Sequence, residues 1–129
     1  MYSVQSAGCA PIVRALVANA AGAVPWENPW TLASGLRVPA PLGDRLILRA
    51  LRESGGNAVA VHDGDLAREA QQGAKEEGID LSPEGGAGLA AARVLRVRGM
   101  LAPKDRVVVF NTGAGWLYRP QADLPPPSA

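Results

Sequence analysis

Arg106-Val-Val-Val-Phe-Asn-Thr-Gly-Ala-Gly115 is the stretch on which the reading of this chain turns. Val107 to Phe110 is an unbroken β-branched and aromatic run, which predicts a strand covered on both faces. Asn111 and Thr112, followed by Gly113 and Gly115, stop that run with small polar residues and glycines. In open α/β sheets ligands bind outside the carboxyl ends of the strands. Asn111 and Thr112 are therefore candidate ligand contacts. The plain alternative is a buried strand that ends in a glycine turn and holds nothing, and the stretch alone leaves both readings open.

Outward from this stretch, strands and helices alternate. Tyr2 to Gln5 is a short strand candidate, and its start almost at Met1 suggests a chain cut from something longer. A helix follows with Pro11 at its first position, where a missing N–H costs nothing. Ile12, Val13, Leu16, Val17 and Ala20 share one face of it. Residues 23–30 form a Pro-containing loop whose Trp26 and Trp30 either cover a core edge or serve as a lid or subunit contact. Thr31 is placed to cap a short helix through Leu32, Ala33, Leu36 and Arg37. Asp44 is placed to cap a helix with Leu46, Ile47, Ala50 and Leu51 inward. Asn57 to Val61 reads as a buried strand. Asp63 is placed to cap a third helix with Leu66, Ala70, Gly73 and Ala74 inward, and with Arg68, Glu69, Lys75, Glu76 and Glu77 toward solvent. Ile79 to Leu81 reads as a short strand, and Leu89 to about Arg98 as a fourth helix. This alternation predicts an α/β fold, a largely parallel sheet with helices on both faces. Residues 1–120 form the domain, and 121–129 a Pro-rich tail expected to be disordered.

Composition narrows the function. The chain has 129 residues, 47% hydrophobic and 19% charged, with a net charge of +1. That excludes a disordered chain and gives no charge surplus for nucleic acid or a membrane surface. No apolar run reaches membrane-spanning length and no signal peptide is recognisable, so the expected location is the cytoplasm. The single cysteine, Cys9, reads as a small buried hydrophobe, and the single histidine, His62, as a residue near a helix start. A His-rich metal site is excluded.

Three glycine-rich turns follow three strand candidates: Ala7-Gly8, Glu84-Gly85-Gly86 and Gly113-Ala-Gly115. In a parallel sheet they fall at one edge and could form one pocket wall. No phosphate-binding loop of the nucleotide triphosphatase type occurs. Glu84 reads either as a carboxylate favoured by a helix N-terminus or as a pocket group.

Four ordered blocks carry a resemblance: Tyr2-Ser-Val-Gln-Ser-Ala-Gly-Cys-Ala-Pro-Ile-Val-Arg14, Leu51-Arg-Glu-Ser-Gly-Gly56, Glu76-Glu-Gly-Ile-Asp-Leu-Ser-Pro-Glu-Gly85 and Val108-Val-Phe-Asn-Thr-Gly-Ala-Gly115. Their succession resembles the carboxyl-terminal part of the threonine synthase family, pyridoxal-phosphate enzymes of fold-type II, the tryptophan synthase β-like fold. The resemblance implies conversion of O-phosphohomoserine and water to threonine and phosphate, with the cofactor ring as electron sink. It implies that Thr112, in the Asn111-Thr112-Gly113 segment, meets the pyridine nitrogen as a neutral partner. It places Glu84 in the pocket and offers backbone contacts at Ala7 and Gly8.

The departures bear equally on function. The family's Schiff-base lysine and its substrate-facing segment lie in its amino-terminal half, and its phosphate loop just before the part that begins here. Lys75 and Lys104, the only lysines, fall on a solvated helix face and in a surface turn. The expected partners are therefore the missing amino-terminal half or a complementary chain, an O-phosphohomoserine-like amino acid, and a second copy in a homodimer. Two alternatives stay open: a non-catalytic α/β remnant that binds a ligand or partner, and another fold-type II enzyme such as a serine/threonine dehydratase.

Overall fold

The computed structural model describes residues 1–118. β1 (Tyr2–Ser6) and β2 (Asn57–Val61) form a two-stranded parallel sheet, in register from Tyr2 opposite Asn57 to Ser6 opposite Val61. α1 (Pro11–Val17) and α2 (Asp44–Glu53) lie between the strands in sequence. α3 (Asp63–Glu77) and α4 (Pro83–Val97) follow β2. Short 3-10 turns occupy Ser34–Leu36 and Gly115–Tyr118.

Successive strand side chains point to opposite faces, and β2 uses both. Ala58 packs with Ile12, Ala15, Leu48 and Leu51 of α1 and α2. Val59 and Val61 pack with Leu66, Ala87, Ala90 and Leu95 of α3 and α4. The sheet is thus parallel and sandwiched between helix layers, as the alternation of elements predicts.

Local chemistry fixes the joints. Pro11 occupies the first position of α1, and the Gln5 side-chain oxygen accepts from the N–H groups of Ile12 and Val13 at 2.9 and 3.1 Å. A strand side chain thereby satisfies donors that a helix start leaves free. Gly78 ends α3 in the left-handed region at φ 67°, where glycine carries no Cβ penalty. Gly86 brings α4 against α3, because a Cβ there would lie 2.1 Å from the Leu66 carbonyl oxygen.

Several sequence expectations are corrected. Val107 to Phe110 forms no strand and pairs with none among the described residues, and Val108 and Phe110 are 81% and 82% exposed. A β-branched run is buried only where neighbours exist to cover it, and the described sheet supplies none. Ile79 to Leu81 is reduced to one isolated bridge, Leu81 with Ala114. α4 begins at Pro83, not Leu89, because the Ser82 hydroxyl caps it, accepting from Gly85 N–H at 3.2 Å.

Caps and faces also differ in detail. Thr31 caps no helix: the 3-10 turn starts later, and the Thr31 hydroxyl donates to Asp63 at 2.6 Å. Asp44 and Asp63 sit one residue inside their helices, whose caps are Gly43 and His62. Glu69 is buried rather than solvated, because Arg93 of α4 donates to it at 2.5 Å. Trp26 lies beneath the Arg14 guanidinium, 4.8 Å from ring centroid to cation, whereas Trp30 is largely exposed. The tail assigned to 121–129 lies outside the described residues.

Close helix contact at Gly86 makes a testable contrast with Gly64, around which a Cβ would meet nothing within 4 Å. Gly86→Ala should destabilise the chain by about 1–3 kcal/mol through overpacking. Gly64→Ala should stabilise it by about 0.4–1 kcal/mol through loss of backbone freedom in the unfolded state. Urea unfolding followed by circular dichroism reads both, and equal effects would refute the tight contact.

Candidate functional site

A cavity of about 570 Å³ lies between β1, α4 and segment 106–110. Its walls are largely apolar, with Val4, Ala91, Leu95 and Val108 among them, and Glu84, Thr112 and Tyr118 bring polar groups to it.

The turn that carries Thr112 is pinned from behind. The Asn111 side-chain oxygen accepts from the Ser82 N–H at 3.3 Å and from the Ser82 hydroxyl at 3.2 Å. A Cβ on Gly85 would lie 2.2 Å from that same oxygen, so the glycine is what lets Asn111 reach the start of α4. Farther on, Gly115 N–H donates to the Asp80 carbonyl and Trp116 N–H to the Asp80 carboxylate, both at 2.9 Å. Segment 111–116 is therefore strapped to segment 80–82. Asn111 faces this strap and does not line the cavity. Thr112 and Gly113 do line it, and the Thr112 hydroxyl has no side-chain partner among the described residues.

Glu84 stands in the first turn of α4 and lines the same cavity. Its carboxylate accepts from Gly35 N–H at 2.8 Å. Partial burial works against its charge, yet hydrogen bonds from the Tyr118 hydroxyl, the backbone N–H groups of Glu84 and Gly35, and Ser82 outweigh it and hold the carboxyl below its ordinary range. The same contact with Glu84, together with burial, pushes the Tyr118 phenol up. Glu84 is thus an oriented carboxylate.

Ala7 and Gly8 lie outside the cavity, past the end of β1. Ala7 N–H donates to Val61 at 2.8 Å, and Gly8 accepts from Trp30 N–H at 3.2 Å. A Cβ on Gly8 would meet the Trp30 carbonyl at 1.9 Å, so this glycine serves the packing of the loop. Beside it, Asp63 accepts from the Ser6 and Thr31 hydroxyls at 3.1 and 2.6 Å and from Leu32 N–H at 3.0 Å. The structure therefore brings Glu84, Thr112 and Gly113 together and leaves Ala7, Gly8 and Asn111 in supporting positions.

Sequence reasoning missed Tyr118, Gly35 and Asp80. The Asp-Leu-Ser-Pro-Glu run from Asp80 to Glu84 held the signal, since cap-forming residues there anchor more than their own helix. Lys75 and Lys104 are exposed and neither lines the cavity. Burial pushes the Cys9 thiol up, which fits a packing role. No cluster of three metal-ligating side chains occurs, and no helix is long and apolar enough to cross a membrane, among the described residues.

A pyridine cofactor needs an apolar slot and a hydrogen-bonding group for its ring nitrogen. The Thr112 hydroxyl, without a partner among the described residues, and the Glu84 carboxylate in an apolar-walled cavity fit that ring-facing side. Among the described residues no lysine lines the cavity to meet the cofactor's carbonyl carbon.

Comparison with known proteins gives these features a lineage. The family model described as pyridoxal-phosphate dependent enzyme matches residues 1–113. The chain is 35% identical over 113 residues to the threonine synthase of Methanosarcina acetivorans, a match covering 88% of this chain and 28% of that protein. It is 32% identical over 115 residues to the threonine synthase of Methanocaldococcus jannaschii, covering 89% of this chain and 28% of that one. It thus spans a little over a quarter of the length of these relatives. A threonine deaminase from T.th. superposes with a TM-score of 0.62 at 22% identity, over 75% of this chain and 30% of that chain. Maize serine racemase superposes with a TM-score of 0.60 at 20% identity, over 70% of this chain and 26% of that chain. These two likenesses carry the α/β fold, and the family match over residues 1–113 carries the rest: the chain belongs to the pyridoxal-phosphate-dependent enzyme family.

Proposed function

We propose that the chain forms the carboxyl-terminal part of the cofactor domain of a threonine synthase-type lyase. It would act on O-phosphohomoserine, or a close relative of it, to give threonine and phosphate. The observation that carries this reading is the Thr112 hydroxyl, without a partner among the described residues, sharing one largely apolar cavity with the oriented Glu84 carboxylate. The two threonine synthase relatives support the choice of reaction. In this reading the lysine and the phosphate cradle come from polypeptide outside the 129 residues.

Bound pyridoxal phosphate supplies an electron sink for charge that develops beside the amino-acid nitrogen. The residues of this chain provide its setting. Thr112 offers the ring nitrogen a neutral hydroxyl, and Gly113 keeps the adjoining backbone without a side chain. Asn111, held by Ser82, fixes the turn so that the hydroxyl stays in place. Glu84 brings a fixed negative charge, braced by Gly35 and Tyr118, that orients polar groups entering the cavity. Val4, Ala91 and Leu95 give the cavity an apolar wall beside these polar groups.

The test is a chimera: the Methanosarcina acetivorans threonine synthase with its matched segment replaced by this chain. It should release phosphate from O-phosphohomoserine, and Thr112→Val in it should lower turnover by about 10- to 1000-fold. Unchanged turnover would show that another group meets the ring.

A second prediction concerns Glu84 alone. Its carboxyl carbon, followed by NMR, should titrate below the usual glutamate value of about 4.3, and Tyr118→Phe should move it upward. Because the folded value is depressed, the stabilisation from ionised Glu84 is complete above the unfolded value and fades as pH falls through the folded one. Stability in Tyr118→Phe should therefore depend less on pH in that acid window, and an unshifted titration would remove Tyr118 from the role of brace.

A further inference from the structure

We infer that Asp63 is a positioning residue that acts on the cavity from outside it: by holding loop 31–36 it places the Gly35 N–H, and that N–H orients the Glu84 carboxylate. Its effect on turnover rests on the proposed function, whereas the coupling of Asp63 to Glu84 rests on the contacts alone. Asp63 does not line the cavity and does not cap its own helix, since the cap of α3 is His62. Its carboxylate is turned instead to the loop. Oδ1 accepts from the Thr31 hydroxyl at 2.6 Å and Oδ2 from Leu32 N–H at 3.0 Å. The Thr31 oxygen in turn accepts from Ala33 N–H at 3.2 Å. Ser6, buried at the end of β1, donates to the same Oδ1 at 3.1 Å. One carboxylate thus ties Thr31, Leu32 and Ala33 to β1 and α3.

A single short turn carries that anchorage to the cavity. Ala33 is buried in the same core cluster as Val59 and Leu66. Leu36 N–H donates to the Ala33 carbonyl at 2.9 Å and so closes the 3-10 turn. Gly35 and Leu36 of this turn line the cavity. Gly35 N–H donates to the Glu84 carboxylate at 2.8 Å, and a Cβ on Gly35 would stand 2.9 Å from the same oxygen. A charge-assisted bond this close fixes the carboxylate only while the loop holds its place. Precision in a site depends on such supports, which lock the groups that touch the ligand without touching it themselves.

Three variants test this. Asp63→Asn keeps the size of the side chain but cannot accept at both ends. Thr31→Val breaks the same anchorage from the loop side. Asp65→Asn is the control, because Asp65 shares the first turn of α3 yet pairs with Arg68. NMR of the 129-residue chain reads the coupling. In Asp63→Asn and in Thr31→Val the Gly35 amide proton should move upfield and the Glu84 carboxyl should titrate higher, since the bond from Gly35 helps to hold it down. Asp65→Asn should leave both signals in place. If Asp63→Asn fails to fold, as its NMR dispersion would show, Thr31→Val decides. In the chimera described above, Asp63→Asn should lower turnover by about 10- to 100-fold. It should cost nothing further once Glu84→Ala is present, because residues that act through one group do not add. Unmoved Gly35 and Glu84 signals in a folded variant overturn the inference. So does a loss that adds in full to that of Glu84→Ala, which would make Asp63 a structural residue. Moved signals without phosphate release keep the coupling and remove the proposed reaction, whereas phosphate release with unmoved signals does the reverse.

Discussion

A strand in a parallel pair has its backbone satisfied on one side only, and this constraint governs the structure. β1 spends its inner side on β2. Helices α1 and α2 cover one face of the pair and α3 and α4 the other. Helices close faces and leave edges open. The outer side of β1 pairs with no strand among the described residues, and Tyr2 and Val4 line a cavity that segment 106–110 also lines.

This explains which parts of the fold were legible. Asn57 to Val61 announces a buried strand, and both of its faces are covered by helices close in sequence. Val107 to Phe110 announces the same thing in the same residue types, but no element among the described residues covers it. Composition records what a segment requires and is silent on where the requirement is met. The start of α4 was hidden for a different reason. Gly85, Gly86 and Gly88 read as a turn because glycine weakens helices, whereas Ser82 and Pro83 start the helix and contact with α3 demands the glycine at Gly86. Glu69 was misjudged because a charge on a charged face looks solvated until Arg93 arrives from another helix.

The site was partly legible on the same terms. Thr112, Gly113 and Glu84 were singled out from different blocks and line one cavity. Asn111 shares their turn, yet its side chain points into a strap with Ser82 that no strand pattern announces. Ala7 and Gly8 follow a strand, as the glycine-turn argument requires, but loop packing against Trp30 and pairing with Val61 claim them. Tyr118 and Gly35 escaped notice because each acts through Glu84 from a distant part of the chain. Residues that touch a ligand can be proposed one block at a time, whereas those that hold them in place appear only after folding.

We propose that this chain carries the ring-facing wall of a cofactor site, and among the described residues no lysine lines that wall. The most direct measurement mixes the isolated chain with pyridoxal phosphate, reduces with borohydride and maps modified lysines by mass spectrometry. The account predicts only weak, substoichiometric labelling shared between the exposed Lys75 and Lys104. Stoichiometric labelling of a single lysine, accompanied by phosphate release from O-phosphohomoserine, would contradict it.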